Sequence, residues 1–418
     1  MYLRTALAAM CILALASSTN GAISVKKFGA KGDGKLDDSK AIQKAMDSAA
    51  EKGGVVDLGV GRFRIDAPIT VPEGVTLAGV WQAPHHAQLK KGTVLEIRAG
   101  ANDENGPAAI SLSPSSAVKG VTFYYPDQKL PGVIPYSYTI RGKGMHNSVI
   151  DCTFVNPYKA MDFGSEWNEL HYIRNCFGCP LKVGIHVDKC SDIGRIENVH
   201  FNPHYWMRSE VEGLPTWEQL SKYLFENLIA FEFGRTDWEY VHNTFVFGAK
   251  VGYRFYADKD GTVNGNFLGI GADWCERSML VEECQMPGLL ITNGEFVAGQ
   301  GGKCFVEVAP TNTGIVQFSN CSFWGPCGPL GVFDGKGTVS MNQCAFLNQG
   351  DPKDAYTLDA RGGDVTFQSC RFGVNRPDIK LGEKVKTAII MGNRFIKSKE
   401  IENLSKGDVQ EGLNVVSK

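Results

Sequence analysis

Cys321-Ser-Phe323, Cys344-Ala-Phe346, Cys370-Arg-Phe372 and Asn393-Arg-Phe395 are four triplets ending in phenylalanine at spacings of 23, 26 and 23 residues. The pattern runs back through Gly294-Glu-Phe296, Gly265-Asn-Phe267, Asn243-Thr-Phe245, Val199-His-Phe201, Cys152-Thr-Phe154 and Val121-Thr-Phe123. A small polar residue often precedes the triplet, as at Asn198, Asn264, Asn293 and Asn320. A period in the twenties means stacked repeats, each burying its apolar side against its neighbours. Between the triplets, Gly184-Ile-His-Val187, Phe231-Glu-Phe233, Tyr253-Arg-Phe255 and Tyr356-Thr-Leu358 alternate apolar and polar residues, the period of a half-buried strand. The 48 glycines supply the positive backbone angles of tight turns. The fold expected is all-β: a parallel β-helix of two or three short strands per turn, with rungs about 4.8 Å apart.

In such a coil Cys152, Cys321, Cys344 and Cys370 hold equivalent places two residues before a phenylalanine. They form either an inward ladder of free thiols, packing as small hydrophobes, or part of a disulfide framework. Cys176-x-x-Cys179 has the spacing of half a zinc site, but no second half follows at suitable spacing, and no metal is expected.

The chain opens with Arg4, an apolar run from Ala6 to Ala16 and small residues to Ala22, the layout of a secretory signal peptide over 1–22. Cys11 goes with it and follows Met10, which does not suit a lipid-attachment site. A secreted or periplasmic protein is expected. No other apolar run is long enough to span a bilayer, so no membrane partner is expected. A net charge of −2 argues against nucleic acid, whose binding calls for a basic surface. One domain over 23–396 is expected, followed by a polar tail at 397–418.

Residues 23–79 differ in texture. Ile23-Ser-Val-Lys-Lys-Phe28 is strand-like, and Gly29-Ala-Lys-Gly-Asp-Gly34 reads as a loop. Asp37 or Asp38 then caps a helix with Ala41, Ile42, Ala45, Met46 and Ala49 on its apolar face. Such a helix would close the open, apolar end of the coil. This segment resembles the amino-terminal region of the pectin-lyase-like superfamily, in its rhamnogalacturonase and epimerase-like branch. The resemblance rests on Phe28-Gly-Ala-Lys-Gly-Asp-Gly34, Asp37-Asp38, Ala41-Ile-Gln43, Ala49, Gly53-Gly-Val-Val56 and Gly61-Arg-Phe63. It implies a single-stranded right-handed β-helix of the kind used by polysaccharide hydrolases, lyases, epimerases and phage tailspikes. The Asn-Thr-Asp and Gly-His-Gly motifs of polygalacturonases are absent, and Gly252-Tyr-Arg-Phe-Tyr256 only loosely resembles their Arg-Ile-Lys.

Aligning the rungs places Met161-Asp-Phe163, Ile185-His-Val187, Phe231-Glu-Phe233, Tyr253-Arg-Phe255 and Met279-Leu-Val281 in register. Alternation turns the flanking residues inward and the central ones outward. The outward column is then Asp162, His186, Glu232, Arg254 and Leu280. It is either a salt-bridged strip or a polysaccharide track. A second acidic cluster, Asp273-Trp-Cys-Glu276, precedes the Met279 strand, and Arg235-Thr-Asp237-Trp-Glu239 is a rival to it. An insertion over 203–227, with His204, Tyr205 and Trp206 at its root and a helical pattern from Pro215 to Phe225, would wall the groove.

The function expected is cleavage of glycosidic bonds in an acidic polysaccharide or oligosaccharide by an inverting hydrolase. Glu232 and Asp273 share the acid and base roles, with Asp162 and Glu276 as alternates. His186, Arg254, Lys250, His204, Tyr205, Trp206 and Trp274 would bind the sugar. No cofactor is expected, and the oligomeric state is left open. A lyase acting by β-elimination, with calcium possible, is the alternative enzyme. A non-catalytic carbohydrate-binding β-helix is the alternative from a different class.

Overall fold

The first apolar column of the coil, Val149, Ile173, Ile196, Val241, Phe267 and Ile291, is stacked by parallel pairing of successive strands. A second face carries Phe123, Phe154, Gly178, Phe201, Val246, Ala272, Phe296 and Phe323 in register, and then Phe346, Phe372 and Phe395. A third carries Met161, Ile185, Phe231, Tyr253, Met279 and Val306. The chain is therefore a closed solenoid of parallel strands, three to a turn, around a single core. The computed structural model describes residues 21–82, 89–299, 301–347, 355–396 and 398–417. The expected signal peptide, with Cys11, lies almost wholly outside them.

Rings on the second face stack at the spacing of the rungs: centroids are 5.1 Å apart for Phe296 and Phe323, and 4.8 Å for Phe372 and Phe395. Each fully buried ring contributes about 1.5–3 kcal/mol through burial. Two of the ten triplets do not belong to this column. Phe245 faces outward opposite His200, while Val246 takes the inward place. Phe267 lies in the first column, paired with Val241 and Ile291. The structural marker of the corner is a residue with left-handed backbone three positions before the inward one: Asp151, Asn198, Asn243, Gly269, Asn293, Asn320, Gln343 and Ser369 all have positive φ. That turn tolerates only a few residue types cheaply, whereas the core accepts any apolar side chain that fills the space.

The eleven cysteines after residue 20 are free and buried, so the ladder is one of thiols and not of disulfides. Cys152 is in register with Cys176, which places the first cysteine of the Cys-x-x-Cys pair inside the coil.

Helix α1, Ser39–Ala49, closes the first rungs with Ile42, Ala45, Met46 and Ala49 buried. The two aspartates before it divide the work. Asp37 accepts from the Ser39 backbone at 3.0 Å, while Asp38 accepts from Lys31 and Gly32 and ties down the glycine loop. The insertion forms α2, His204–Met207, and α3, Trp217–Asn227, the latter opened by a Thr216–Gln219 capping box. The polar tail, which lacks the phenylalanine triplet, was expected either to finish the coil or to trail off it. Its strands Ile401–Asn403, Asp408–Gly412 and Val415–Ser417 pair parallel with the preceding turn and add one more rung.

Candidate active site

On the third face, Arg141, Asp162, His186, Glu232, Arg254 and Leu280 are outward neighbours in successive rungs. Alternation fixes this: each is flanked by residues that fill the core, such as Phe231 and Phe233 around Glu232. Two residues further on, the same face carries Gly164, Asp188, Gly234 and Tyr256. A Cβ on Gly234 would lie 2.7 Å from both Asp188 Cγ and the Tyr256 hydroxyl, and one on Gly164 would lie 2.4 Å from His186. The two glycines leave the space in which the neighbouring side chains meet.

Those side chains form one chain of hydrogen bonds. His186 donates from Nδ1 to Asp162 at 3.0 Å, and its Nε2 lies 2.9 Å from the Tyr256 hydroxyl. The Tyr256 hydroxyl donates to Asp188 at 3.1 Å, which leaves its oxygen free to accept from Nε2 of a protonated His186. The His186 pKa is raised accordingly: burial opposes the charge, but the Asp162 carboxylate outweighs it. The Tyr138 ring lies nearly parallel to the imidazole, with centroids 6.2 Å apart, and Tyr256 meets it edge-on through its hydroxyl.

The carboxylates differ in environment. Asp162 is fully buried, accepts from His186, from Arg141 at 2.7 Å and from the backbone of Gly164 and Ser165, and is held well below the usual carboxylate range despite its burial. It positions His186. Asp188 is raised, because burial outweighs the Lys189 and Arg235 backbone donors and nearby Asp258 adds repulsion. Glu232 lies 2.5 Å from Arg254, whose other nitrogens hold Glu282 at 2.9 and 3.0 Å. Arg254 also covers the Tyr256 ring at 4.9 Å. Guanidinium groups therefore hold Asp162, Glu232 and Glu282 in ion pairs.

Asp273 is not brought to Glu232. The strand Gly271–Val281 spans two faces, and Asp273 pairs with Phe247 and Val297 on the second. It precedes Leu280, the position that continues the column, by up to about 23 Å of extended chain. Burial raises its pKa. Glu276 is paired with Arg277, which also reaches Glu307 at 2.5 Å. Lys250 is exposed, upstream of Arg254 on the same strand. Trp206 is 1% exposed and Tyr205 is buried with its hydroxyl 3.1 Å from His200, so both anchor the insertion and neither offers a face to a sugar. His204, Trp217 and Trp274 form a stack, 5.7 and 5.4 Å between successive centroids, with Phe247 against it. Asp188 and Tyr256 were not singled out from the sequence. The signal was there: alternation carried one step past Val187 and Phe255 reaches both.

A separate polar cluster lies inside the coil. His171 Nε2 is 3.0 Å from Glu239 and its Nδ1 is 3.9 Å from Cys190, all three buried. Each side chain has a partner within the cluster: the carboxylate meets Nε2, while the thiol and Asn168 Oδ1 meet the other end of the imidazole. Thr236 donates to the second Glu239 oxygen at 2.9 Å, closing a satisfied buried ion pair.

Residues 22–112 match the family described as rhamnogalacturonase A/epimerase, pectate lyase-like, in agreement with the resemblance carried by Phe28–Phe63. A curated relative, a probable glucan endo-1,3-beta-glucosidase of Arthroderma benhamiae (strain ATCC MYA-4681 / CBS 112371), is 43% identical over 60 residues. Those residues are 14% of this chain and 7% of that protein, so the chain spans under a tenth of the relative's length. The N-terminal fragment of bacteriophage Phi29 gene product 12 superposes with a TM-score of 0.66 at 14% identity, over 94% of this chain and 70% of the fragment. The pre-mature form of that phage protein gives 0.53 at 15%, over 94% and 56%. These likenesses concern the fold. Among the described residues, no helix is long and apolar enough to cross a membrane.

Proposed function

We propose that the protein is a secreted, single-stranded right-handed β-helix that hydrolyses glycosidic bonds of an acidic polysaccharide with inversion. Asp188 is the general acid and Glu232 the general base. The observation that carries this reading is the placement of the pair. They stand on one outward face, one rung and two residues apart, roughly 8 Å between backbone positions. Inverting enzymes separate their carboxyl groups by about 6.5–9.5 Å to admit a water, a range within reach of side chains on backbone positions this far apart. The family match over residues 22–112 and the likeness to a probable glucan endo-1,3-beta-glucosidase support a polysaccharide substrate.

Asp188 gives its proton to the leaving oxygen as the bond to the anomeric carbon breaks. Glu232 takes a proton from the water that forms the new bond on the opposite side. Arg254 and Arg141, at opposite ends of the column, suit a carboxylate or sulfate on the sugar. The Tyr256–His186 relay then offers a route for returning the proton to Asp188.

The test is a panel of acidic and neutral polysaccharides read for reducing ends, for ultraviolet absorbance and, by NMR, for the anomer released first. Glu232→Gln and Asp188→Asn should each lower kcat by about 10²–10⁴-fold. A fully active Glu232→Gln protein sinks the assignment. Because Asp188 must be protonated and its pKa is raised, activity should persist above the ordinary carboxylate range. It should fall as pH rises through the folded Asp188 pKa. The contact of Arg254 with the Tyr256–His186 pair favours a lyase as the second reading, since elimination needs a cation at the uronate carboxylate beside a proton-transfer group. Unsaturated, ultraviolet-absorbing products that require calcium select it. Tight binding without product selects a binding protein.

A further inference from the structure

On the opposite side of the turn that follows the third face, two tryptophans stand out from the surface. Trp167 is 49% exposed and Trp238 is 56% exposed. Asn168, Cys190 and Thr236 bridge in register; Trp167 comes one residue before the first and Trp238 two after the last, so the two lie two rungs apart, roughly 10 Å along the axis, and three residues apart across it. The indole N–H of Trp167 is fixed by Ser191 Oγ at 2.8 Å, which leaves its ring faces to the outside.

Trp238 takes the left-handed corner position that Leu170 and Ile193 occupy on the two preceding rungs. Its φ is +63°, a left-handed conformation costing about 1–2 kcal/mol for a side chain of its size. Its backbone N–H is held by Asn264 at 3.1 Å, so the turn is kept in that shape. Glycine or asparagine would make the same turn more cheaply, and burial does not repay the cost of a half-exposed indole.

Each ring lines a hollow, Trp238 one of about 670 Å³ and Trp167 one of about 290 Å³, and the two share Ser191 as a wall. The larger is lined by Trp238, Asp192, Asp237, Asn264 and Asn266. Asp237 and Asn264 are oriented by Gln285, which donates to the first at 2.8 Å and accepts from the second at 2.7 Å. Flat aromatic faces beside oriented amides and carboxylates suit a ligand with apolar C–H faces and a rim of hydroxyls, which is a pyranose sugar. The charge settles its class. Arg235 is bridged to Asp237 at 2.8 Å and Lys189 donates to Ser165 at 2.9 Å, while Asp192 and Asp260 add negative charge. A polyanion finds engaged cations and repelling carboxylates here.

We infer that the Trp167–Trp238 surface is a second carbohydrate site, binding a neutral oligosaccharide with one sugar ring on each indole. It lies apart from the outward column of Asp162, His186, Glu232 and Arg254. The site would hold a neutral stretch or branch of a polymer while the column meets acidic sugars.

The experiment is calorimetric titration of the Glu232→Gln protein, which keeps turnover out of the readout. Hexasaccharides of glucose, mannose and galactose are the probes, with a hexauronate as counter-probe. At least one neutral probe should bind, and Trp167→Ala or Trp238→Gly should weaken it at least tenfold; glycine favours the left-handed turn, so that variant keeps its fold. Unchanged affinity in both variants overturns the inference, as does binding of the hexauronate alone or of no probe. Failure here leaves the catalytic reading standing, because that reading is tested by product formation.

Discussion

Gly234 shows how little atomic volume the site depends on. A methyl group there would meet both Asp188 and Tyr256 at 2.7 Å, two groups joined to each other and to His186. Gly234→Ala should therefore push Tyr256 off Asp188 and lower kcat at least tenfold. The effect on stability should be about 1–3 kcal/mol, the usual cost of overpacking. Enzyme kinetics beside a urea melt separate the two; full activity in a folded variant counts against the proposed relay. Glycine in a strand was read from the sequence only as punctuation, since a space kept for two distant side chains leaves no local pattern. The outward column, in contrast, was legible down to the residue. Each of Asp162, His186, Glu232 and Arg254 is framed by apolar neighbours that must point inward. Asp273 misled because counting along one rung does not show where a strand of 11 residues turns a corner.

At the scale of the element, the periodic phenylalanine was a good guide to the number of turns and an imperfect guide to their register. Phe245 and Phe267 sit where a phenylalanine is tolerated, on the outside and on another face. The left-handed corner residue is the stricter marker, because its cost is set by backbone sterics and not by volume. Gln343 occupies that place with φ of +53° and an exposed side chain. Replacing it by glycine should stabilise the protein by about 1 kcal/mol, opposite in sign to the usual effect of glycine in a β-protein. A lower midpoint for Gln343→Gly in urea would show that the turn is not held as described. Cysteine identity could not settle thiol against disulfide from sequence, since both place sulfur in the core. The structure shows the cysteines as free thiols, each packed in the core.

The whole molecule is a stack in which each turn touches only the next, so its cohesion is a chain of nearest-neighbour terms. One place departs from that rule. The insertion lays Trp217 between His204 and Trp274, with Phe247 beside it, and these residues come from three successive turns and the segment between them. Drawn apart by force at its two ends, the coil should release its turns one after another and then stall when the opening front reaches this clasp. A single-molecule trace should show that pause near the middle of the contour length, and Trp217→Ala should erase it while leaving the other steps in place. The inserted segment would then act as a mechanical stop, confining any unravelling to the half of the molecule in which it began.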